Sequence, residues 1–438
     1  MRERFKKDNY PLILTVIEAS GGSVDWILPV CWYLKNNYPE FKQAFIILRY
    51  DDEDILKGNE TAKTIIDEIT QGACFSLPDF LPAWARLFVK LVRPLNIISR
   101  LFSKDIAGYV EQKMILQFAR KPLRAWVKEK NPAVILKDQS RLSRYFELLY
   151  NPAKENGCRV IAFPTAPALA FADFMWTEKN VADLFKKSKA YFADYYVIDQ
   201  AWDKVKFKDV EKKVFVTGTP KFDPGWIAYL KKRYRSAQKA APVKNVLFLL
   251  KNEGSFIYKD IDFTRHLQEV IETVLEVTDY QIVLKPHPRQ DMRLLNRVIR
   301  KYPAERVDVR WDPVFQLINN AQYVISLPSG VIFDALMMGK PVIEYYDMEK
   351  MNGILKTKYQ TVPKNSLGGL TMLDKEGRLT TMFRELQLVL GVNNPQELKS
   401  ALKNPFFEKE TAGPLRIREI FTNNQAKNVA DIVMQCLS

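Results

Sequence analysis

The chain of 438 residues carries 66 Lys and Arg against 51 Asp and Glu, a formal net charge of +15, with 47% hydrophobic residues. At roughly 150 residues per domain that length allows two or three domains, and the apolar content suffices for a core in each, which excludes a disordered basic protein. Cys31, Cys74, Cys158 and Cys436 form no CxxC pair, so neither a disulfide framework nor a zinc site is expected, and the usage fits a reducing compartment.

The N-terminus, MRERFKKDNYPLILTVIEASGG, imitates a signal peptide. Its apolar stretch from Leu12 to Ile17 is stopped by Glu18, short of the roughly 7 to 15 apolar residues of an h-region, and reads as a first buried strand. No window reaches the roughly 18 to 20 apolar residues of a spanning helix. A cytoplasmic protein, peripheral on the inner face of the membrane, is the expectation.

Further candidate strands in the first half are Ala44 to Leu48, Val134 to Leu136, Arg159 to Phe163, Tyr195 to Ile198 and Val214 to Thr217. Between the second and third lies ARLFVKLVRPLNIISRLFSK, residues 85 to 104, with Arg86, Lys90, Arg93, Arg100 and Lys104 and no acidic residue. Arg86, Lys90 and Arg93 recur at helical spacing among apolar residues, and Pro94 breaks or kinks the helix. That is the composition of a segment lying in a lipid interface. FARKPLRAWVKEK, residues 118 to 130, adds further basic side chains, and anionic lipid would hold such a surface at about 1 kcal/mol per basic residue. The plainer reading is a pair of packed helices with solvated basic faces. No RNP-like, zinc-finger or helix-turn-helix signature accompanies the charge, so nucleic acid is not expected as a partner.

The interdomain link is placed at Ala241-Pro242, after a basic helical segment from Ile227 to Ala240. Strands are then expected at Asn245 to Leu250, Tyr280 to Leu284, Val307 to Arg310, Tyr323 to Ser326 and Pro341 to Tyr346, with helices at Thr264 to Val277, Asp291 to Lys301 and Gly330 to Met338. Beyond about Asp374 only apolar and charged helices are expected. Alternating strands and helices predict α/β architecture: an acceptor domain over 1–235 with a basic insertion at 80–130, a donor domain over 241–375, and a helical segment over 376–438. Ligands of such sheets bind at the carboxyl ends of the strands.

Three strand exits of the second half carry chemistry. In YVISLPSGVIFDALMMGKPVIEYYD, residues 323 to 347, Ser326, Ser329 and Gly330 sit between a strand and a helix that Gly339 ends. A helix N-terminus there would hold a phosphate; an ordinary N-cap serine is the alternative. YQIVLKPHPRQ presents Lys285, His287 and Arg289 in a loop stiffened by Pro286 and Pro288; the lysine and arginine would neutralise a phosphate, and the imidazole would donate to a phosphoryl oxygen or leaving group. VLFLLKNEGSF presents Lys251, Asn252, Glu253 and Gly254, where Glu253 could accept from a base or ribose or simply close a turn. His266 lies within a helical pattern and reads as structural.

LKPHPRQ, the S-x-x-S-G turn leading into VIFDALMMGKPVIEYYD, and VFVTGTPKFD at 214 to 223 resemble GT-B-fold transferases of bacterial surface polymers. The pattern is similar to the CDP-glycerol glycerophosphotransferase group and to capsule-type transferases that use CMP-activated keto-sugars. The resemblance spans about residues 210 to 350. It implies two Rossmann-like parallel-sheet domains facing across a cleft and a nucleotide donor whose phosphates lie at His287 and the Ser326, Ser329 and Gly330 turn; Lys285, Pro288, Arg289, Glu253, Gly254, Gly21 and Gly22 are further expected nucleotide or phosphate contacts read from the strand exits. Teichoic-type polymerases carry a His-Gly loop in the first domain, whereas the matching exit here is IAFPTAPAL, 161 to 169, and both histidines lie in the second half. That departure, and an Asn-Glu-Gly at 252 to 254 that partly resembles the acidic-acidic-Gly element of bacterial sialyltransferases, favours sugar transfer.

An inverting transferase needs a base for the acceptor hydroxyl. EASGGSVDWILPV offers Gly21 and Gly22 for close backbone approach and Asp25 as first choice; Asp138 in LKDQSR is the second, each with a helix-start carboxylate as the alternative. The run Asp51-Asp52-Glu53-Asp54 reads as a helix start, so no metal and no cofactor beyond the nucleotide donor are expected. The expected partners are that donor, a lipid-linked or polysaccharide acceptor and an anionic membrane surface. Glycerophosphotransfer from CDP-glycerol, a nucleotide-sugar 2-epimerase and a non-catalytic GT-B assembly module stand as the other readings.

Overall fold

The computed structural model describes residues 10–18, 21–48, 60–88, 91, 106–139, 143–164, 191–199, 204, 207, 210–236, 244–251, 253–254, 262–287, 290–351, 371–373, 376, 378–404, 412–420 and 425–437. Strand β1 (Leu12–Ile17) is buried at all but its first residue. A strand covered on both faces reads as a continuous apolar run without alternation, and that pattern marks parallel sheets. It is followed by α1 (Gly21–Asn37), β2 (Lys42–Ile47), α2 (Glu60–Thr70), β3 (Cys74–Ser76), α3 (Ile106–Lys130), β4 (Pro132–Asp138), α4 (Arg144–Glu155), β5 (Arg159–Phe163), β6 (Tyr195–Ile198) and β7 (Val214–Val216). The strands form one sheet in the order β3-β2-β1-β4-β5-β6-β7, every pair parallel. Phe146, Leu149, Ala119, Leu123 and Val127 from the covering helices close the core over Leu14, Val16, Ile135 and Val160.

The second unit runs through α5 (Pro224–Ser236), β8 (Asn245–Leu249), α6 (Phe263–Val277), β9 (Gln281–Lys285), α7 (Met292–Ile299), β10 (Val307–Val309), α8 (Val314–Asn320), β11 (Tyr323–Ser326), α9 (Val331–Met337) and β12 (Val342–Tyr345). The hairpin of β13 (Thr371–Leu373) and β14 (Leu379–Thr381), then α10 (Met382–Glu385), β15 (Leu390–Val392), α11 (Pro395–Lys403) and α12 (Ala412–Ile420) complete it. Its sheet is parallel in the order β10-β9-β8-β11-β12-β15. α6 shows why the sequence folds so. Asp262 caps it by accepting from Thr264 N and Arg265 N, and Phe263, Leu267, Val270, Ile271 and Val274 form one buried stripe at helical spacing. Gly339, at φ +81°, ends α9 in the left-handed region as its position suggested.

Both sheets follow the doubly wound pattern in which the strand order reverses beside the first strand, between β1 and β4 in one unit and between β8 and β11 in the other. Ligands of such sheets bind outside the carboxyl ends at that reversal.

Three boundaries differ from the sequence reading. The division falls after Asp223 rather than near Ala241, because α5 packs against α8 and buries Trp226, Ile227, Leu230 and Tyr234 in the second unit. The region beyond Asp374 is not purely helical: β14 and β15 lie there, and β15 pairs with β12 as the sheet's sixth strand. The last helix, α13 (Gln425–Leu437), belongs to the first unit. Its stripe of Ala426, Val429, Ala430 and Val433 is buried, it packs on α1, and Ala426 N donates to Asp223 Oδ2 at 3.2 Å. Among the described residues no helix is long and apolar enough to cross a membrane.

Candidate functional site

Register fixes which residues share the carboxyl edge of the second sheet. Lys285, Leu249, Ser326 and Glu344 are partners in one row across β9, β8, β11 and β12, so the loops that follow them leave at one level. Lys251, just past β8, donates from Nζ to Pro328 O at 2.7 Å. That bond spans the point where the strand order reverses. Lys285 closes β9 and donates to Trp311 O at 2.8 Å, with its ammonium 5.5 Å from the Trp311 ring centroid. Burial lowers both lysines to about 8, against a smaller opposing pull from Glu344 on Lys251 and from Asp312 on Lys285. Both lysines hydrogen-bond neutral carbonyls, and the carboxylates of Glu344 and Asp312 act on them only as the weaker, opposing influence.

The turn after β11 is divided in its roles. Ser326 is fully buried and its Oγ donates to Leu327 O at 2.8 Å, so its hydroxyl is turned into the fold and not toward the edge where a phosphate ligand was expected. Ser329 and Gly330 are half-buried, and α9 begins by Ile332 N and Phe333 N donating to the Ser329 and Gly330 carbonyls. The N-cap position is Gly330, not Ser329. A Cβ added to Gly330 would meet nothing within 4 Å, so the turn faces open space.

Neighbouring exits bind one another. Glu253 accepts from Gln290 Nε2 at 2.6 Å and from Asp291 N at 3.2 Å. Its carboxylate thus ties the β8 exit to the start of α7, the turn-closing role rather than the ligand role. Gly254 is exposed beside it, and His287 is half-buried with its carbonyl accepting from Gln290 N at 2.9 Å. Pro288, Arg289 and Asn252 lie outside the described residues. In the same row, fully buried Glu344 accepts from Arg384 Nε at 2.7 Å and from Thr381 Oγ1 at 2.9 Å. The Arg384 guanidinium also donates to the carbonyls of Glu344, Tyr346 and Val392, locking β12 to β15. Burial raises the Glu344 pKa, Arg384 and Thr381 opposing it. Sequence reasoning passed over this knot. The signal was a single acidic residue inside the apolar run VIEYY.

At the corresponding edge of the first sheet the chemistry is closed. Lys137, with a side chain 0% exposed, lies 3.1 Å from Glu18 Oε2 and 3.2 Å from Asp138 Oδ1, and its ammonium stands over the Phe146 and Phe192 rings at 5.0 and 5.6 Å. The other Glu18 oxygen accepts from Ser143 Oγ, which caps α4. Asp138 is likewise 0% exposed. A base must touch the acceptor hydroxyl, so this burial and the Lys137 contact correct the assignment of Asp138 as a catalytic base. Asp25 is half-buried in the second turn of α1, not at its start, because the helix already begins at Gly21 and Gly22. Glu18, which stops the first apolar stretch of the sequence, is the carboxylate at the exit of β1. The acidic run 51–54 lies outside the described residues. VFVTGTPKFD ends in the bond from α13 to Asp223, and Asn428 Nδ2 donates to Thr217 O at 3.4 Å, so that motif holds the last helix.

The basic segment is described in part: Arg86 is exposed, while Lys90, Arg93, Arg100 and Lys104 lie outside the described residues. Apolar neighbours face outward as well. Trp84, Leu87, Phe88 and Leu91 are 55%, 60%, 39% and 65% exposed, and Trp84 packs edge-on against Phe118 of α3 at 4.6 Å.

No protein-family model and no curated protein matches the sequence. Solved structures do match in fold. A UDP-GlcNAc 2-epimerase from Methanocaldococcus jannaschii is 12% identical with a TM-score of 0.54, over 97% of this chain and 99% of the other. A histidine-to-alanine variant of the wall teichoic acid polymerase TagF is 14% identical with a TM-score of 0.55, over 98% of this chain and 90% of the other. The Neisseria meningitidis UDP-GlcNAc 2-epimerase bound to UDP-GlcNAc is 12% identical with a TM-score of 0.53, over 97% of this chain and 100% of the other. With two doubly wound parallel sheets and a helical C-terminal segment, the fold is of the GT-B type.

Proposed function

We propose that the chain is a glycosyltransferase that moves a sugar from a cytidine- or uridine-nucleotide donor, a CMP-sugar foremost, to a cell-envelope polysaccharide or glycolipid. The observation that carries this reading is the pair of lysines at the carboxyl edge of the second sheet, Lys251 and Lys285, hydrogen-bonded to carbonyls rather than to carboxylates. Desolvated cations held in place beside a strand reversal suit a phosphate, and they stabilise the charge that grows on it as the glycosidic bond breaks. His287 would donate to a phosphoryl oxygen, and Ser329 and Gly330 would supply donors at the open turn. Gly21 and Gly22 would let the acceptor approach α1, where Asp25 would take its hydroxyl proton with inversion at the sugar.

The lysines supply the positive charge that a metal would otherwise provide, so transfer should survive EDTA. The assay is transfer or hydrolysis of CMP- and UDP-sugars, and loss of all nucleotide-dependent turnover in the intact chain would remove the reading. A nucleotide-sugar 2-epimerase is the second reading, favoured by the likeness in fold to two such enzymes over nearly the full chain. Product analysis separates the two: an epimerase returns an isomeric nucleotide sugar, whereas a transferase releases free nucleotide. Glycerophosphotransfer would instead consume CDP-glycerol.

The acceptor would be met at the membrane. Outward-facing Trp84, Leu87, Phe88 and Leu91, flanked by Arg86 and the exposed Arg120, Lys121 and Arg124 of α3, suit an anionic lipid interface on the cytoplasmic side. Sedimentation with anionic vesicles checks this, and equal pelleting with neutral and anionic vesicles would contradict it.

A further inference from the structure

We propose that Glu253 and Gln290 are positioning residues that hold His287 against the donor's phosphate, an assignment that rests on the nucleotide reading above. Glu253 belongs to the exit of β8 and Gln290 to the exit of the adjacent β9, 37 positions further along the chain. Gln290 is only 8% exposed, and a buried carboxamide is costly unless it is hydrogen-bonded. Its Nε2 donates to Glu253 Oε2 at 2.6 Å, and Asp291 N donates to the two oxygens of the same carboxylate at 3.2 and 3.3 Å. Gln290 Oε1 accepts no hydrogen bond from the described residues, so Glu253 orients the side chain. Gln290 N in turn donates to the His287 carbonyl at 2.9 Å. A continuous line of bonds thus runs from the carboxylate through Gln290 to the backbone of the histidine.

The two ends of the segment that carries His287 are held in different ways. At its start Lys285 is still paired with Leu249 across the sheet and donates to Trp311 O. At its end the hold is the Glu253 carboxylate, which gathers Gln290 and the first amide of α7. A carboxylate that merely closed its own turn would bond within that turn. Glu253 instead joins two neighbouring strand exits, and the exit it holds is the one that carries the proposed phosphate ligand. A donor aimed at a phosphoryl oxygen has to be kept within about 0.5 Å of its productive position. Loss of the clasp should therefore act on the phosphate through His287, without Glu253 touching the ligand. The same carboxylate serving as a base or ribose contact would act on the nucleoside instead.

Calorimetric titration of the full chain with CDP, UDP and inorganic pyrophosphate, in a double-mutant cycle of Glu253→Ala and His287→Ala, tests the assignment. His287→Ala should weaken all three roughly 10- to 150-fold, as loss of a hydrogen bond to a charged group predicts. Glu253→Ala should weaken all three by a common factor of at least about fivefold in the parent, and by less than about twofold in the His287→Ala background, because coupled residues are not additive. Gln290→Ala should reproduce that pattern. Exchanging the pair, Glu253→Gln with Gln290→Glu, restores a bond between carboxamide and carboxylate and should recover most of the affinity. Losses that add in the double variant would overturn the assignment, since Glu253 would then act independently of His287, and so would unchanged binding in His287→Ala. A loss confined to CDP and UDP, the signature of a ribose or base contact, would also overturn it, as would a lowered melting temperature with unchanged affinities, the signature of a turn held for stability alone. Any of these leaves the nucleotide reading standing. If neither nucleotides nor pyrophosphate bind the unaltered chain, that reading itself fails and this assignment with it.

Discussion

At the strand reversal of the first sheet a buried lysine meets two carboxylates, Glu18 and Asp138; at the reversal of the second, Lys251 and its neighbour Lys285 meet the carbonyls of Pro328 and Trp311. The strand order around the two points is the same, yet the electrostatic outcome is opposite. Lys137 is neutralised within the protein and holds β1, β4 and the start of α4 together. Lys251 and Lys285 are held by carbonyls instead, at an edge that opens to solvent at Gly330. A neutralised lysine serves stability, whereas a desolvated one bonded to carbonyls is what the proposed phosphate site requires.

The largest effect should come from the buried ion pair at the second edge. Arg384→Met leaves Glu344 buried without its ion-pair partner, the Thr381 hydroxyl alone remaining bonded to it, which should cost about 3–5 kcal/mol of stability, read as a lowered denaturation midpoint. A variant as stable as the parent would show that the knot is dispensable. The next effect separates the two edges. Lys285→Met and Lys251→Met should each weaken CMP, CDP or UDP by at least about tenfold, as loss of a charged hydrogen bond predicts, with little change in melting temperature. Lys137→Met should do the reverse, lowering stability while the nucleotide still binds. Equal consequences at both edges would break the distinction.

Acid should act through His266. Its ring is buried against Tyr345, and burial lowers its pKa to about 4 from 6.5, with Glu269 opposing. The folded form then binds fewer protons than the unfolded one between those values, so stability falls as pH drops through that window, by about 3 kcal/mol at most. Chemical denaturation at pH 7 and pH 4 measures it, and a His266→Phe variant with an undiminished slope would assign the loss elsewhere. The smallest effect is at the lipid surface, where Arg86→Glu should weaken anionic-vesicle binding by about 1 to 2 kcal/mol.

Much of the sheet architecture was legible because buried parallel strands are short apolar runs: β1, β5, β6 and β11 fall where such runs stand. β15 was not, since its three residues LGV carry no pattern and pairing with β12 defines the strand. Lys285, His287 and the Ser329–Gly330 turn could be read from strand exits. The bond from Lys251 to Pro328, 77 residues away, could not, because only the strand order brings them together. Lys137 in VILKD and Glu344 in VIEYY share a signal that periodicity overlooks: a charge inside an apolar run must find a buried partner. Ser326 shows the converse, a hydroxyl in a suggestive motif that the fold turns inward.

The second sheet's carboxyl edge, with its desolvated lysines, is the proposed nucleotide-phosphate site. Calorimetry of CDP and UDP binding between pH 7 and pH 9, in buffers of different ionisation enthalpy, tests it most directly. Because burial lowers Lys251 and Lys285 to about 8, an anion that favours their charged forms should draw in protons on binding, and affinity should fall as pH rises through 8. Binding that takes up no protons and keeps its strength to pH 9, or no binding at all, would contradict the account.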